Sequence, residues 1–529
     1  MMNAHPLLAF ICDTAATAAG TGVTTILGFT SVCGGDGYAE LFRRLAPEAV
    51  LVIGALLVLG FDLFAGKRAA CGGRATLAAL IGVAALAGAG FAAAWISPFA
   101  TPSATNLGSA LETCTAIAVG TRLGVYVLSG LTLLLLPGSS RLRHPAEYTA
   151  IILFATVGFS LMAAASNLLL GFLAIELASL SLYILTGFDK TRPDSAEAGL
   201  KYFLFGGTAA AFMLFGFSLL YGLTGSINMF DFAYEAATRS PPSSTPLMLV
   251  ALVMVLAGFG FKVAAVPFHL WAPDAYQGAP ASAAALIASA SKLAGIAFFL
   301  RLLWGGLGRF AGDVSSAPPA AGWMPVVAVL ALGSLLVGNL GALAQTNVRR
   351  LLAYSAIAHA GVMLLGVIAA GGAGAGPLFY YVATYGLATV GAFGVISVIE
   401  RDAPCQKLAD LAGLWKRSPL LALTLFAFVL SLAGVPPLAG FFGKFAVFAA
   451  VLKLNGLAGP AGWLALLAIA FSAVALYYYL AILKQALVAA PAGDAKPVSV
   501  PALPALSLVL CAALLLLLGL FPSLLLSQL

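Results

Sequence analysis

Long apolar segments dominate this sequence, and they restrict the chain to one class of fold. Windows of about 20 apolar residues recur from residue 47 to residue 526, and a helix of that length crosses the hydrocarbon core of a bilayer. Only 9% of the residues are charged, whereas a soluble globular domain has about 25%. The sequence therefore predicts an all-α polytopic membrane protein.

The predicted transmembrane helices number about fourteen, and together they form a single domain over residues 47–526. Their spans are 47–66, 76–96, 115–136, 147–165, 167–187, 199–222, 246–267, 280–303, 323–345, 350–370, 377–399, 419–452, 461–488 and 502–526. Residues 1–46 precede this domain as an extension to which we assign no role. A basic region followed by a sustained apolar core is missing there, so a signal peptide is not predicted.

Two of the predicted helices are interrupted by proline. Helix 7 reaches Pro267, and helix 12 contains Gly434-Val-Pro-Pro437. Proline breaks a helix, and a membrane tolerates the break only where protein or a water-filled cavity satisfies the freed carbonyls. Interrupted helices at corresponding places of two halves are typical of inverted-repeat transporters. We therefore predict two inverted five-helix repeats, helices 4–8 (about 147–303) and helices 9–13 (about 323–488), with helices 7 and 12 discontinuous.

Three lysines lie inside the apolar segments: Lys262, Lys292 and Lys444. Two of them close near-identical hexapeptides, Ala257-Gly-Phe-Gly-Phe-Lys262 and Ala439-Gly-Phe-Phe-Gly-Lys444. An ammonium near the middle of a bilayer costs roughly 2.5–3.5 kcal/mol on insertion scales. Three such costs indicate that charge inside the membrane belongs to the function. The alternative for Lys292 and Lys444 is that each ammonium reaches the headgroup region by snorkelling.

Glu176 is the acidic residue that lies clearly in the middle of a predicted helix. A glutamate and a lysine that approach and separate can hold and then release a proton, because each stabilises the charged form of the other. The alternative is a static structural ion pair. The sequence leaves open which lysine meets Glu176.

Four further polar residues each have two interpretations. His359 lies in an otherwise apolar helix, as either a satisfied core residue or a relay group, since imidazole titrates near physiological pH. His269 follows the break of helix 7, and it either relays protons or binds a freed carbonyl. Lys201, predicted at the start of helix 6, either passes protons between bulk water and Glu176 or is an ordinary helix-end lysine. For Arg122 we favour snorkelling or pairing.

No motif for a nucleotide, a metal or a redox cofactor is visible. The six cysteines are scattered, without a CxxC or Cys/His spacing. The glycine patterns of the P-loop and of the Rossmann fold are missing. The formal charge of +7 is spread over loops rather than clustered, which argues against nucleic acid as a partner. Any energy source is therefore expected to be an ion gradient or a partner subunit.

The loop charges predict the orientation of the chain. Fifteen lysines and arginines lie in or beside the loops that follow odd-numbered helices, and six lie on the other side. Since basic loops remain in the cytoplasm, we expect the odd-numbered loops inside and both termini outside.

These motifs resemble the antiporter-like membrane subunits of respiratory complex I (NADH:quinone oxidoreductase), which are related to the multisubunit sodium/proton antiporters. The resemblance covers helices 1–14 and is greatest to the N-type subunits. Phe268-His-Leu-Trp-Ala-Pro-Asp-Ala-Tyr-Gln-Gly-Ala-Pro280 has their Tyr-Gln-Gly form, and Lys444 stands where M-type relatives have a glutamate. The chain also stops soon after the last helix, without the lateral amphipathic helix of the L-type subunits. Asn347-Val-Arg-Arg-Leu-Leu-Ala-Tyr-Ser355 is shared across the family.

The resemblance implies a role for each polar residue of the core. Glu176 and Lys262 would be the pair of helices 5 and 7, and Lys292 the central lysine of helix 8. His359 would be a connecting group, and Lys444 the helix 12 lysine near the outward exit. The family's proposed scheme passes protons along this row, with no metal and no cofactor bound by the chain itself.

The resemblance also implies the setting in which the chain works. NADH, flavin, iron–sulfur clusters and quinone would belong to other subunits, and the partners would be an antiporter-like neighbour, small membrane subunits and the lipid bilayer. The alanine- and glycine-rich composition favours a bacterial inner membrane. Two alternatives remain: a component of a cation/proton antiporter, and a structural scaffold whose lysines are held in ion pairs.

Overall fold

The computed structural model describes most of the chain in ten ranges. They are residues 45–64, 71–96, 108–139, 142–229, 232, 246–314, 320–403, 405–456, 459–490 and 497–527. The predicted N-terminal extension therefore lies almost entirely outside the described residues.

The described chain is helical, with loops and three isolated β-bridges between the helices. The main helices are α1 (Ala46–Phe64), α2 (Cys71–Ile96), α3 (Gly108–Leu134), α4 (Pro145–Ala164), α5 (Leu168–Thr186), α6 (Pro193–Thr224), α7 (Pro246–Val263), α8 (Trp271–Gly278), α9 (Ala281–Ala288), α10 (Ala290–Leu300), α11 (Trp323–Leu343), α12 (Val348–Ala373), α13 (Gly376–Asp402), α14 (Pro419–Ala433), α15 (Ala439–Asn455), α16 (Pro460–Leu483) and α17 (Ala502–Leu520). Short helical turns cover Leu136–Gly138, Arg301–Gly306, Gly308–Phe310, Leu408–Leu411, Leu414–Arg417, Lys484–Val488 and Ser523–Leu526.

Each predicted membrane span coincides with one helix or with a pair of helices. By length and apolar composition, thirteen helical segments of the described chain are able to cross a membrane. The predicted helix 12 is divided between α14 and α15, of 15 and 17 residues. The all-α, polytopic fold is thus confirmed. Predicted helix 12 is the span that is not among the thirteen, because it is divided into two shorter helices.

Helices 7 and 12 are discontinuous, as predicted. Between α7 and α8 the peptide bond before Pro267 is cis, and between α14 and α15 the bond between the two prolines is cis. The α14 helix ends because Gly434 has a φ of +85°, a left-handed conformation that glycine adopts without steric cost. Both breaks thus lie at the residue types that indicated them in the sequence.

The two lysines of the hexapeptides lie on opposite sides of their helix breaks. Lys262 occupies the last turn of α7, before the break, whereas Lys444 lies in the second turn of α15, after it. The similar hexapeptides therefore do not place the two ammonium groups alike. An alignment on the breaks alone would not superpose them.

Predicted helix 8 contains a break that the sequence did not reveal. Its two parts, α9 and α10, meet at Ser289, which has φ −111° and ψ −86°. The Ser289 hydroxyl donates a 2.6 Å hydrogen bond to the carbonyl of Ala285. Serine side chains compete with the helical backbone in this way, and they bend helices without a proline.

One local arrangement recurs with an offset of 180 residues. Asn167 caps α5 by accepting a hydrogen bond from the amide of Leu170. Asn347 caps α12 in the same way, by accepting from the amides of Arg349 and Arg350. In both halves a glycine lets neighbouring helices approach closely. A Cβ added at Gly158 would lie 2.7 Å from the amide nitrogen of Ala178.

The corresponding contact in the second half is Gly338 against Ala358, where the added Cβ would lie 2.4 Å from the amide nitrogen. This recurrence supports the predicted repeats, whose boundaries stay a prediction. It also gives a register for comparing the two halves.

Two of the polar residues, Lys292 and His359, lie in the most deeply buried helices. In the most apolar 18-residue stretch of Ala281–Gly306, 100% of the residues are buried, and in those of α12 and α13 the share is 94%. The corresponding share is 33% in α1, α6 and α17. The helices α9, α10, α12 and α13 are therefore the core, and the others surround it.

Candidate functional site

Four of the five predicted relay residues are fully enclosed. Lys262, Lys292, His359 and Lys444 are 5%, 2%, 5% and 7% exposed. Glu176 is half-buried in α5. Since the lysine side chains end inside the protein, snorkelling of Lys292 and Lys444 to the headgroups is not what the structure shows.

The first centre joins α5 and α7. Nζ of Lys262 donates a 3.2 Å hydrogen bond to the hydroxyl of Ser179, which lies one helical turn after Glu176. Glu176, Ser179 and Lys262 line one cavity, with room for about one water molecule. Glu176 thus meets Lys262 across a hydroxyl and a small cavity rather than in direct contact.

The second centre is Lys292, in the first turn of α10 beside the Ser289 break. Its ammonium donates a 2.6 Å hydrogen bond to the carbonyl of Ala356 in α12. It also lies 5.5 Å from the ring centre of Tyr385. A cation over an aromatic face is stabilised electrostatically, so a carbonyl and a ring hold this lysine.

A glycine brings the first two centres close together. A Cβ added at Gly295 would lie 3.2 Å from Cγ of Lys262. The stem of Lys262 therefore packs on α10 one turn from Lys292. This contact continues the row from the first half of the protein into its centre.

The third centre is His359, one turn after Ala356 in α12. Its Nδ1 lies 2.5 Å from the Tyr381 hydroxyl, and its Nε2 lies 3.0 Å from the Tyr479 hydroxyl. The Tyr479 hydroxyl is also hydrogen-bonded to Ser355. With both ring nitrogens bonded to hydroxyl groups, His359 has the contacts that either a core residue or a relay group would need.

Tyr385 connects the second centre with the third. Its ring centre lies 4.8 Å from that of His359 and 5.5 Å from Nζ of Lys292. His359 and Lys292 therefore both contact one aromatic residue.

The last centre is Lys444, which donates a 3.0 Å hydrogen bond to the carbonyl of Ala433. That carbonyl is at the end of α14, where the helix break leaves it without a helical partner. Lys444 and His359 line a common cavity with Asn339, Ser472 and Tyr478, again with room for about one water. The five predicted residues thus form a row of successive contacts and shared cavities.

The two secondary candidates lie apart from this row. His269 is buried in the break between α7 and α8. Lys201 lies two turns inside α6, because that helix begins at Pro193 and not near residue 199. The expected position of Lys201 at a helix start is therefore wrong.

Lys201 belongs to a network of ion pairs. It contacts Glu197 at 2.7 Å and Asp274 at 2.8 Å. Asp274 also contacts Arg350 at 2.5 Å, and Arg350 donates to the side-chain carbonyl of Gln277 at 3.0 Å. Partial burial raises the pKa of the Asp274 carboxyl, but the hydrogen bonds from Lys201 and Arg350 outweigh this effect and hold its pKa below the ordinary value.

Arg349 extends the network on the side of the second half. It donates to the backbone carbonyls of Gln277 and Ala279 at 3.1 and 2.6 Å, and it pairs with Glu400 of α13. The loop between α8 and α9 is thereby fixed to α12 and α13.

Besides the pair of Arg349 and Glu400, a second buried ion pair lies outside the row, and the sequence did not predict it. Nη2 of Arg122 contacts Oε1 of Glu48 at 2.9 Å, and the same oxygen accepts from Ser160 at 2.6 Å. The Tyr126 hydroxyl is hydrogen-bonded to Ser160 at 2.6 Å. Arg122 is thus paired, one of its expected alternatives. An acidic residue in the first turn of an apolar helix was the available signal.

Among the described residues, no group of three or more His, Cys, Asp or Glu side chains is placed to hold a metal ion. The row itself consists of ammonium, imidazole, carboxylate and hydroxyl groups, which can take up or release protons.

Comparison with known proteins identifies the relatives of this arrangement. Residues 165–474 match the family described as NADH:quinone oxidoreductase/Mrp antiporter, TM. NADH-quinone oxidoreductase subunit N 2 of Acidobacterium capsulatum is 53% identical over 385 residues, which are 72% of this chain and 76% of that protein.

Solved structures show the same fold. A chain of respiratory complex I from Thermus thermophilus with bound aureothin has a TM-score of 0.72 and 32% identity, covering 91% of this chain and 98% of its own length. A chain of the Mrp complex from Dietzia sp. has a TM-score of 0.73 at 21% identity, covering 92% of this chain and 96% of its own length. The latter likeness concerns the fold alone.

Proposed function

Because this chain belongs to the NADH:quinone oxidoreductase/Mrp antiporter family, and within it to the subunit N proteins, we propose that it is a proton-translocating membrane subunit of a respiratory NADH:quinone oxidoreductase. The observation that carries the proposal is the row of three buried lysines and one buried histidine, with the half-buried Glu176 at its first end. Enclosed ionisable groups in a membrane are costly, and they mark ion pathways.

We assign a role to each residue of the row. Glu176 is the charge partner that holds a proton on Lys262 while the two are close, and Lys262 passes the proton toward Lys292 when they separate. Lys292 and Lys444 accept and release protons at the centre and in the second half. His359 exchanges protons with the tyrosine hydroxyls at its two ring nitrogens, and water in the two cavities completes the path.

The energy comes from outside the row. We propose that NADH, flavin, iron–sulfur clusters and quinone act in other subunits, and that no redox reaction takes place in this chain. Movement of charge or of a neighbouring helix at Glu176 would then start proton transfer. The chain is a translocase component in this scheme, with the redox energy delivered through its membrane neighbours.

We further propose a bacterial inner membrane as the location, with both termini in the periplasm. The basic loops support this orientation. Other membrane subunits, including an antiporter-like neighbour, would cover parts of the apolar outer surface. Large exposed side chains such as Phe64, Phe215 and Tyr477 lie on that surface, open to lipid or to a neighbouring subunit.

The test is proton pumping by the assembled complex in vesicles. Lys262→Ala and Glu176→Gln are expected to lower the rate of NADH-driven proton transfer through this chain by at least about tenfold, because general acid–base groups typically contribute ~10²–10⁴-fold to the rate of proton transfer. Lys453→Ala is the matched control, since Lys453 is an exposed lysine at the end of α15.

Normal assembly and normal pumping in both relay variants would overturn the proposal and favour a structural scaffold. Pumping that depends on sodium, without dependence on NADH oxidation, would favour the antiporter alternative. The fold shared with the Mrp chain makes that measurement necessary.

A further inference from the structure

The ion-pair network lies where the two halves of the protein meet. Asp274 accepts from Lys201 of α6, in the first predicted repeat, and from Arg350 of α12, in the second. One carboxylate therefore contacts both halves. It is carried by α8, the short helix that follows the break next to Lys262.

A continuous set of contacts leads from Asp274 to Lys262. The indole of Trp271, at the start of α8, lies flat on the ring of Tyr202, with 4.2 Å between ring centres and an interplanar angle of 5°. Tyr202 follows Lys201 in the chain. The Trp271 Nε1 donates a 3.2 Å hydrogen bond across the break to the carbonyl of Phe261, the residue before Lys262.

A second set of contacts leads from Asp274 to the centre of the row. Arg350 lies in the first turn of α12, and the same rigid helix carries Ala356 and His359. Ala356 supplies the carbonyl that holds Lys292. A displacement of α12 along its axis would therefore move the acceptor of Lys292 and the His359 ring together.

The α8 helix has little freedom to move separately from α6. A Cβ added at Gly278 would lie 2.5 Å from the backbone oxygen of Asp194, so the end of α8 is in close contact with the start of α6. It also packs on α12. The eight residues of α8 thus connect the break after α7 with Lys201 and Arg350, the two charged partners of Asp274.

We infer that Asp274 is a positioning residue that couples the two halves of the proton row, by holding α8 between Lys201 and Arg350. The effect on proton transfer rests on the proposed function, whereas the mechanical link between the two halves rests on the contacts alone. Loss of the carboxylate removes a side chain that pairs with both α6 and α12, so that the surroundings of Lys262 follow those of Lys292 less closely.

The role is one of coupling rather than of stability. The side chains of Lys201, Asp274 and Arg350 are 41%, 30% and 30% exposed. Ion pairs with that much solvent contribute little to folding. An Asp274→Asn variant is therefore expected to assemble, which makes its coupling measurable.

The experiment is hydrogen–deuterium exchange on the assembled complex, with Asp274→Asn against the wild type. We expect exchange to rise at least about fivefold, the lower end of typical coupling between sites, both in α8 and in the first two turns of α12. Asp194→Asn is the control, because Asp194 forms a solvent-exposed pair with Arg192 at 3.3 Å near the same end of α6.

A change confined to α8, or an equal change in the Asp194→Asn control, would overturn the inference. A second arm uses proton pumping per electron in Lys201→Met, Arg350→Met and the double variant. Coupling through one carboxylate predicts that the double variant loses little more than the more affected single variant. Independent, additive losses would contradict it.

The two proposals fail in distinguishable ways. If the row does not carry protons, Lys262→Ala pumps normally, while the exchange experiment still reports whether Asp274 joins the halves. If the row carries protons without this coupling, exchange in α12 stays unchanged in Asp274→Asn.

Discussion

Lys292 donates its 2.6 Å hydrogen bond to the carbonyl of Ala356, which stands in α12 where α5 carries Glu176. Each of these two residues lies nine positions after the asparagine that caps its helix. In the same register His359 stands where Ser179 meets Lys262. The first half thus offers Lys262 a carboxylate, whereas the second half offers Lys292 a neutral backbone carbonyl, with an imidazole one turn further along the helix.

Replacement of Ala356 by glutamate introduces a carboxylate on the turn of α12 whose backbone carbonyl holds Lys292. Two opposite charges about 4 Å apart attract by about 4 kcal/mol at the effective dielectric constant typical of proteins. We expect Ala356→Glu to hold the proton on Lys292 and to lower proton pumping at least about tenfold, since a tenfold change needs only about 1.4 kcal/mol. Pumping by the assembled complex is the measurement.

The uncharged variant Ala356→Gln has nearly the same shape and serves as the control. If both variants lower pumping equally, the effect is steric, and the electrostatic explanation is wrong.

Removal of the central ammonium tests Lys292 itself. Lys292→Met keeps the length and apolar stem of the side chain and removes the group that contacts Ala356 and Tyr385. We expect pumping to fall at least about tenfold, as for loss of a general acid–base group, with normal assembly on a native gel. Lys453→Met is the control, and unchanged pumping in Lys292→Met would contradict a role in the path.

The close helix contacts of both halves predict a pair of destabilised variants. An added Cβ meets backbone nitrogen at Gly158 and at Gly338. Backbone yields less readily than a flexible side chain, and overpacking typically costs about 1–3 kcal/mol. We expect Gly158→Ala and Gly338→Ala to lower the apparent melting temperature of the complex.

Gly207→Ala is the matched control, because an added Cβ there meets nothing within 4 Å. A control that melts as early as the two contact variants would remove the packing explanation.

The pair of Glu48 and Arg122 predicts non-additive stability. Removal of one partner of a buried ion pair costs about 3–5 kcal/mol, because the other charge stays buried and unpaired. We expect Glu48→Gln and Arg122→Met each to destabilise the chain and the double variant to recover part of the loss. Thermal unfolding of the four proteins gives the coupling, and simple additivity would contradict the prediction.

The sequence revealed what depends on local composition. Apolar length located the spans found in the described ranges, and proline located the breaks of helices 7 and 12. It did not reveal the break at Ser289, because serine does not break helices by residue type. Ser334 makes the same hydrogen bond within the continuous α11. The pairs Glu48–Arg122 and Lys201–Asp274 join residues 74 and 73 positions apart, and no local pattern reports such contacts.

The enclosure of the row has an electrical consequence. Mobile salt ions weaken the attraction between charges that are open to water, and they do so far less between buried ones. Apolar helices separate the four buried groups from such ions, so a proton gained by one of them changes the potential felt by the next. The helices around the row therefore limit screening by salt. The order in which the groups titrate becomes a property of the whole protein rather than of any single residue.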